Sequence, residues 1–329
     1  MDLNGFTVFI IVVTYNSSNF IEKCLDSLNI NGNKNCFFVI IDNNSADDTE
    51  DKICGFIKSY KIGESNFKFI RLKRNTGFAA AVNYAVFNFL IKEKPDISEK
   101  IKYLILINPD IIVEDNSISD LVKTFESGGA GNLAAAGKPV GVAGGLIYEY
   151  DRNEIQHAGG DFKSNLITYH MLNKMGQIYS VSYVTGALFA TEFSLFKNLR
   201  GFDSGYRPAY FEELDYCFKV NKMGYIVAVN TEATARHYGA ASVKKFSPEF
   251  FKYYHKNRIR CAIMHLSLAA LFRKFLPAEL KWLKNESTKE QYIYLLYSYF
   301  LNFLFLPYNL IIRFKNYLEF CKLASEKKF

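Results

Sequence analysis

The first half of the chain alternates short apolar runs with segments whose apolar residues recur at helical spacing. Runs rich in β-branched and aromatic residues at 6–14, 37–41, 67–72 and 103–107 are typical of strands buried on both faces. Capped segments of helical periodicity follow them, among them residues 76–90. Repeated strand–helix units of this kind predict an α/β fold with a mostly parallel sheet flanked by helices.

The pattern beyond residue 110 is less regular. Five elements are predicted there: a loop at 128–145 leading into a strand at 140–148, hairpins at 155–190, a helix at 210–223 and a strand at 225–230. A loop carrying Arg236 and His237 would follow the last strand.

Polar residues stand at the ends of the predicted strands. Thr14-Tyr15-Asn16 and Asp42-Asn43-Asn44 follow the first two, and Asn108-Pro109-Asp110 follows the fourth. Ligands of parallel sheets bind at the carboxyl ends of the strands, where carboxylates and amides can hydrogen-bond a base and a ribose. Turn formation accounts for the same residues, so position alone leaves both interpretations open. The missing GxGxxG motif counts against NAD or FAD.

Three further features suggest chemistry. The Asp110 carboxylate, at a strand end, can hold a divalent metal that is also bound by substrate phosphates, although Asn-Pro-Asp is also a turn sequence. Glu212, Glu213 and Asp215 crowd three carboxylates beside aromatic residues, which raises carboxylate pKa values as a general base requires. Acidic residues at a helix N-terminus are the alternative explanation. His237 alone is a weak signal.

The charge of the chain is concentrated in its tail. The net charge is +7, but residues 244–329 hold 16 basic and six acidic groups. Within this tail, residues 291–312 contain no charged side chain and are long enough to cross a bilayer. Asn302, Pro307, Asn309 and five tyrosines suit instead a helix at the membrane surface or a helix packed on the main domain. The sequence leaves these two alternatives open.

Composition narrows the class of protein. A chain of 329 residues that is 49% hydrophobic is not a disordered polar chain, and its modest charge predicts no nucleic-acid binding. The six cysteines lack metal-ligand spacing, and the short apolar N-terminus lacks a basic flank, so we expect reduced thiols and no secretory signal. We predict a cytoplasmic protein with a main domain of residues 1–243 and a helical tail of residues 244–329.

The motifs TYN, DNN, RNTGFAAAVN, INPD, TGAL, FEELD and RHYGAAS follow one another over the first three quarters of the chain. In this order the sequence resembles the family 2 glycosyltransferases, which are inverting enzymes of GT-A fold. It is most similar to the rhamnosyltransferase branch that builds bacterial surface polysaccharides such as O-antigen and capsule.

The resemblance implies roles for individual residues. Those implied to bind the nucleotide-sugar donor are Thr14, Tyr15, Asn16, Asp42, Asn75, Gly77, Asn83, Asn108 and Asp110. Those implied to lie near the donor sugar or the acceptor are Gly186, Ala187 and Asp215.

The resemblance also implies a mechanism. Glu213 would deprotonate an acceptor hydroxyl, and Mg²⁺ or Mn²⁺ on Asp110 would neutralise the leaving diphosphate. A nitrogen ligand from His237 favours Mn²⁺. The sequence departs from the family pattern twice: Asn108 opens the metal motif, and Glu213 stands where aspartate is usual. The second departure leaves Glu212 as an alternative base.

The implied partners are a dTDP- or UDP-linked sugar, with rhamnose as the sugar by analogy, and a glycan acceptor carried on a lipid at the inner face of the cytoplasmic membrane. The tail could instead support a homo-oligomer. Two other functions compete. A sugar nucleotidyltransferase should carry a glycine-rich loop after the first strand, which TYNSSN lacks. A degenerate glycosyltransferase serving as an assembly subunit is favoured by Asn108 and opposed by the retention of Asp110, Glu213 and His237.

Overall fold

The computed structural model describes residues 7–126, 137–239 and 247–326. The strands in these ranges are β1 (Val8–Thr14), β2 (Cys36–Asp42), β3 (Phe67–Arg71), β4 (Tyr103–Ile107), β5 (Ile111–Val113), β6 (Val140–Glu149), β7 (Ile155–His157), β8 (Gly160–Phe162), β9 (Thr168–His170), β10 (Ile178–Val181), β11 (Leu188–Glu192) and β12 (Ile226–His237).

Helices connect these strands and form the C-terminal part of the chain. They are α1 (Ile21–Ser27), α2 (Thr49–Ser59), α3 (Phe78–Asn83), α4 (Ile91–Glu93), α5 (Pro95–Ser98), α6 (Ser117–Glu126), α7 (Phe193–Asn198), α8 (Glu212–Lys222), α9 (Pro248–His265), α10 (Leu268–Ala270), α11 (Leu276–Asn285), α12 (Lys289–Leu304) and α13 (Leu306–Glu326). Two wider π-helical segments, Tyr84–Leu90 and Leu271–Phe275, join α3 to α4 and α10 to α11.

The central sheet has the strand order β10-β12-β6-β11-β4-β1-β2-β3. Neighbouring strands run parallel from β4 through β1 and β2 to β3, while β11 is antiparallel to both β4 and β6. The α/β fold predicted from the strand–helix alternation is therefore confirmed. The parallel arrangement places Thr14 opposite Asp42 at one edge of the sheet.

Strand β1 shows why the N-terminal run is apolar at every position. Its odd-numbered residues (Phe9, Ile11 and Val13) enter the apolar core on one face of the sheet, and its even-numbered residues (Val8, Ile10 and Val12) enter the core on the other. Because side chains alternate along a strand, a strand covered on both faces needs apolar residues throughout.

The structure corrects the last predicted strand. Instead of ending at residue 230, β12 continues through an irregularity near Asn230 to His237, so Arg236 and His237 lie in a strand and not in a loop. Its far end pairs with β5, a short strand that the sequence pattern did not indicate. This pairing brings Ile111 opposite His237, next to Asp110.

Some predicted features lie outside the described residues. These are the first residue of the first strand, residues 128–136 of the predicted loop, the end of the RHYGAAS motif and the boundary between residues 243 and 244. All six cysteines are described, and all are free thiols, as expected.

The tail is helical, as predicted, and it is anchored to the main domain by buried polar contacts. Arg258 in α9 is 0% exposed and donates to both carboxylate oxygens of Glu279 at 2.6–2.7 Å. The same guanidinium donates to the backbone oxygen of Asn165, whose side-chain amide donates to Glu279 at 2.8 Å. Arg258 therefore belongs to the interior of the folded chain.

Candidate functional site

The edge where β1 and β2 end is organised around the carboxylate of Asp42. Asp42 is 0% exposed, and it accepts hydrogen bonds from the Thr14 hydroxyl at 3.0 Å and from the backbone N–H of Ser45 at 3.0 Å. The Ser45 hydroxyl also bonds it and accepts from the backbone N–H of Asn16 at 2.9 Å. These contacts fix the polar loops that follow the two strands.

Asn16 is exposed at this edge and has a positive φ of 50°. Its side-chain oxygen accepts from the backbone N–H of Ala46 at 2.9 Å, which ties the loop after β1 to the loop after β2. Tyr15 beside it is partly exposed. A polar, partly open edge of this kind can receive a base and a ribose.

A second loop is tied to the same edge by Asn43, a residue to which the sequence assigned no role of its own beside Asp42. The Asn43 side chain accepts from the backbone N–H of Thr76 at 2.8 Å and donates to the Asn75 side chain at 3.1 Å. Gly77 follows with a φ of 85°, and a Cβ there would lie 2.9 Å from the backbone oxygen of Pro208. Glycine is therefore required where this loop passes the segment before α8.

Asp110 and His237 are brought together by the β5–β12 pairing. The Nε2 atom of His237 lies 3.2 Å from Oδ1 of Asp110, and its Nδ1 atom donates to the side-chain oxygen of Gln156 at 2.5 Å. The buried Nε2 atom of His237 has no hydrogen-bond partner among the described residues, so it is available as a ligand beside the Asp110 carboxylate. Sequence reasoning missed Gln156, because no motif marks a contact across 81 positions.

This pair fits a divalent metal whose remaining ligands are phosphate oxygens and water. The Gln156 contact orients the imidazole as metal-bound histidines require, and one nitrogen plus one oxygen ligand favours Mn²⁺ over Mg²⁺. Within the described part of the chain, no group of three or more His, Cys, Asp or Glu side chains could hold a metal alone. Asn108, which opens the metal motif, is fixed by its backbone N–H, which donates to the backbone oxygen of Ala187 at 3.0 Å.

Glu213 lies at the start of α8 and is partly exposed to the site. One of its carboxylate oxygens accepts from the backbone N–H of Gly186 at 3.1 Å. Burial raises the pKa of Glu213 to about 7, although the backbone N–H bonds oppose the shift. A Cβ on Gly186 would lie 2.2 Å from this carboxylate, so a larger residue there would displace the carboxylate from its present position. The arrangement gives a proton acceptor that titrates near neutral pH.

Glu212 differs from its neighbour in both burial and protonation. It is 2% exposed, and its Oε2 atom has no hydrogen-bond partner among the described residues. Burial and then the charge of Glu213 raise the pKa of Glu212 well above its ordinary value. The group is therefore neutral when Glu213 ionises, and it is a poorer candidate for a base.

Two residues that the resemblance places at the substrate are engaged by the protein itself. Asp215 is 0% exposed, and its carboxylate lies 2.7 Å from Lys219 Nζ and 2.6 Å from His265 Nε2. Burial alone would raise the pKa of Asp215, but these two partners outweigh it and lower the pKa. A contact with a sugar does not fit this position. The Asn83 amide is bonded to the backbone N–H and oxygen of Phe202.

The backbone before Glu212 is held in an unusual conformation by the tail. Tyr210 and Phe211 have φ values of 79° and 77°, which cost free energy in residues with a Cβ. Asn257 in α9 is 0% exposed and donates to the backbone oxygens of Ala209 and Tyr210 at 2.8 and 2.9 Å. The tail thus positions the segment that carries Glu213, a role that sequence reasoning missed.

Replacing Asn257 by Ala is expected to leave two backbone oxygens without their donor and to lower the free energy of unfolding by about 1–3 kcal/mol. If the strained segment relaxes, turnover should also fall by about tenfold. Asn302 provides a matched control, because its buried amide donates to Lys256 and Ser298 within the tail. Asn302→Ala should lose similar stability and keep its turnover. Equal turnover in both variants would contradict the positioning role.

Comparisons with known proteins show the family of the chain. The family model described as "Glycosyl transferase family 2" matches residues 9–200, more than half of the chain. The chain belongs to glycosyl transferase family 2. As a member of this family, the protein is a glycosyltransferase. No curated protein matches its sequence.

Solved structures similar to this glycosyltransferase share its fold at low sequence identity. GalNAc-T7 with UDP, GalNAc and Mn²⁺ has a TM-score of 0.56 and 16% identity over 86% of this chain, which spans 56% of that protein. The mannosyltransferase PcManGT from Pyrobaculum calidifontis with GDP-Man and Mn²⁺ gives 0.53 and 16%, covering 99% and 88% of the two chains. S. aureus TarS with UDP-GlcNAc gives 0.54 and 15%, covering 89% and 79%. These similarities establish the GT-A fold of the glycosyltransferase.

Proposed function

We propose that this glycosyltransferase transfers a sugar from a nucleotide-diphosphate donor to a hydroxyl group of a glycan, with inversion at the anomeric carbon. The observation that carries the proposal is the placement of Glu213 and the Asp110–His237 pair in one fold of this family. Glu213 supplies a base with a pKa of about 7, and the polar edge at Asp42 supplies a place for the nucleotide.

In the proposed reaction Glu213 takes the proton of the acceptor hydroxyl while the oxygen of that hydroxyl bonds to the anomeric carbon. The bond between that carbon and the diphosphate oxygen breaks on the opposite face, and the electron pair leaves with the diphosphate. Gly186 keeps the carboxylate of Glu213 in place through its backbone N–H. The buried, neutral Glu212 adds no second negative charge beside the base.

A divalent metal at Asp110 and His237 would supply Lewis-acid stabilisation of the leaving diphosphate. The chain orients the two residues that would hold the metal. Gln156 fixes the imidazole of His237, and the β5–β12 pairing sets the distance between that imidazole and Asp110. The solved structures of GalNAc-T7 and PcManGT contain Mn²⁺, which supports the same preference here.

The finer assignment is also a proposal. We propose a dTDP- or UDP-linked donor with rhamnose as the sugar, and a lipid-linked glycan of a bacterial surface polysaccharide as the acceptor. The support is the order of the sequence motifs alone. Measuring hydrolysis across purified nucleotide sugars tests it, and the greatest rate with a sugar other than rhamnose would replace the donor assignment.

Donor binding is expected to raise the melting temperature of the protein by several degrees when UDP or dTDP is added with Mn²⁺. Asp110→Asn should remove the part of this shift that depends on Mn²⁺. Asp120, a similarly buried carboxylate bonded to Lys123 in α6, provides the control, and Asp120→Asn should keep that part. No shift with any nucleoside diphosphate would contradict the proposed function and favour a degenerate assembly subunit.

A further inference from the structure

Helix α12 and the start of α13 expose an unusually apolar surface. On α12, the residues that are 64–77% exposed are Ile293, Leu296, Phe300 and Phe303. They recur every three, four or seven positions, so they share one face of the helix. Leu310, Ile311, Phe314, Tyr317 and Leu318 continue the exposed surface along α13. We call these nine residues the apolar face.

The opposite side of α12 is already used for packing. Leu295, Ser298 and Asn302 are buried, and the Asn302 amide donates to the backbone of Lys256 in α9. The helix is therefore attached to α9 by one side and open on the other. Exposed apolar areas of this extent in a folded protein mark an interaction surface.

The charges around the apolar face select its partner. Exposed cations on the same part of the chain are Arg273, Lys274, Lys281, Lys284, Lys289, Lys315 and Lys322. Of the four carboxylates in residues 268–323, three are paired with cations elsewhere: Glu279 with Arg258, Glu286 with Lys163, and Glu319 with Arg200. The part of the chain that carries the apolar face therefore exposes mostly unneutralised cations, which suits an anionic surface.

The geometry of the two helices favours contact with one leaflet. No single helix in the described ranges is long and apolar enough to cross a bilayer. Lys289–Leu304 and Leu306–Leu323 pass such a test together by length and composition, but they are bent by 65° to each other. A symmetric dimer through the apolar face would bring the two sets of cations together, whereas anionic headgroups would neutralise them.

We propose that the apolar face docks this glycosyltransferase onto the surface of an anionic lipid bilayer. The aromatic and aliphatic side chains enter the boundary between headgroups and acyl chains, and the flanking lysines and arginines contact the anionic headgroups. This docking is independent of the sugar-transfer chemistry, so it can be tested without donor or acceptor.

The full chain is expected to co-sediment with vesicles of phosphatidylcholine and phosphatidylglycerol, and to bind less to phosphatidylcholine alone or at high salt. The double variant Leu296→Gln/Phe303→Gln should bind the mixed vesicles at least about tenfold more weakly. Both side chains are already exposed, so the fold should be unchanged by circular dichroism.

Leu172→Gln/Met175→Gln provides the matched control, because these two residues are 57% and 55% exposed but lie outside the tail. This variant should bind vesicles like the unchanged protein. Equal vesicle binding by the two double variants would overturn the proposal. A second result would also overturn the proposal: the unchanged protein does not bind vesicles and forms a dimer, and Leu296→Gln/Phe303→Gln dissociates that dimer, as measured by light scattering.

Discussion

Glu213→Gln is expected to lower the rate of sugar transfer by about 10²–10⁴-fold, the usual contribution of a general base. Glutamine preserves the size of the side chain and can still accept the hydrogen bond from Gly186, but it cannot take the proton of the acceptor hydroxyl. Binding of the nucleotide, measured by calorimetry, should change little, because Glu213 lies on α8 and the Asp42 edge is formed by the loops after β1 and β2. Single-turnover measurements then separate the chemical step from binding.

The pH dependence gives an independent check. A base works in its deprotonated form, so activity should rise with pH through about 7 and fall about tenfold for each unit below it. Glu213→Gln should lose this dependence. Glu212→Gln is the matched control, since Glu212 is already neutral, and it should keep nearly full turnover. Collapse of turnover in Glu212→Gln with normal turnover in Glu213→Gln would move the base by one residue.

Arg258→Met is expected to lower the free energy of unfolding by about 3–5 kcal/mol. The substitution leaves the buried Glu279 carboxylate without its cation, although Asn165 still donates to it. Burial would raise the pKa of Glu279, and the bonds and charge of Arg258 currently outweigh that effect and lower it. Denaturant unfolding followed by circular dichroism measures the loss.

An exposed ion pair gives the comparison for this loss. Arg200 and Glu319 are 2.8 Å apart, but their side chains are 75% and 31% exposed. Arg200→Met should change the free energy of unfolding by less than about 1 kcal/mol. Arg258→Met/Glu279→Leu should recover part of the stability, because it removes the unpaired charge as well. A loss in Arg258→Met no larger than that in Arg200→Met would contradict the buried role.

Sequence pattern was sufficient for the parts of the site that sit at strand ends. Thr14, Asp42 and Asp110 follow uninterrupted apolar runs, and a parallel sheet brings such positions to one edge. Pattern was insufficient where a contact depends on tertiary structure. Gln156 meets His237 only because β7 and β12 both flank β6, and no local signal marks that pairing.

The charged residues of the tail show the same limit of prediction from sequence. The sequence left open whether the basic tail lies at a membrane surface or packs on the main domain. In the structure Arg258 and Arg260 are buried in ion pairs with Glu279 and Asp203. Counting charges along a sequence cannot separate cations that stabilise the interior from cations that face outward. The structure separates them, and the exposed cations lie on the same part of the chain as the apolar face.

Helix α9 contacts both the segment before Glu213 and the inner side of α12. A bilayer docked on the apolar face would therefore be connected to the base by packed helices, which would set the distance between Glu213 and the bilayer surface. An acceptor anchored in that bilayer would be found by diffusion in two dimensions. The length of the glycan attached to the lipid anchor would then decide whether the terminal hydroxyl of that glycan reaches the base. The distance between the bilayer and Glu213 would thus select acceptors by glycan length.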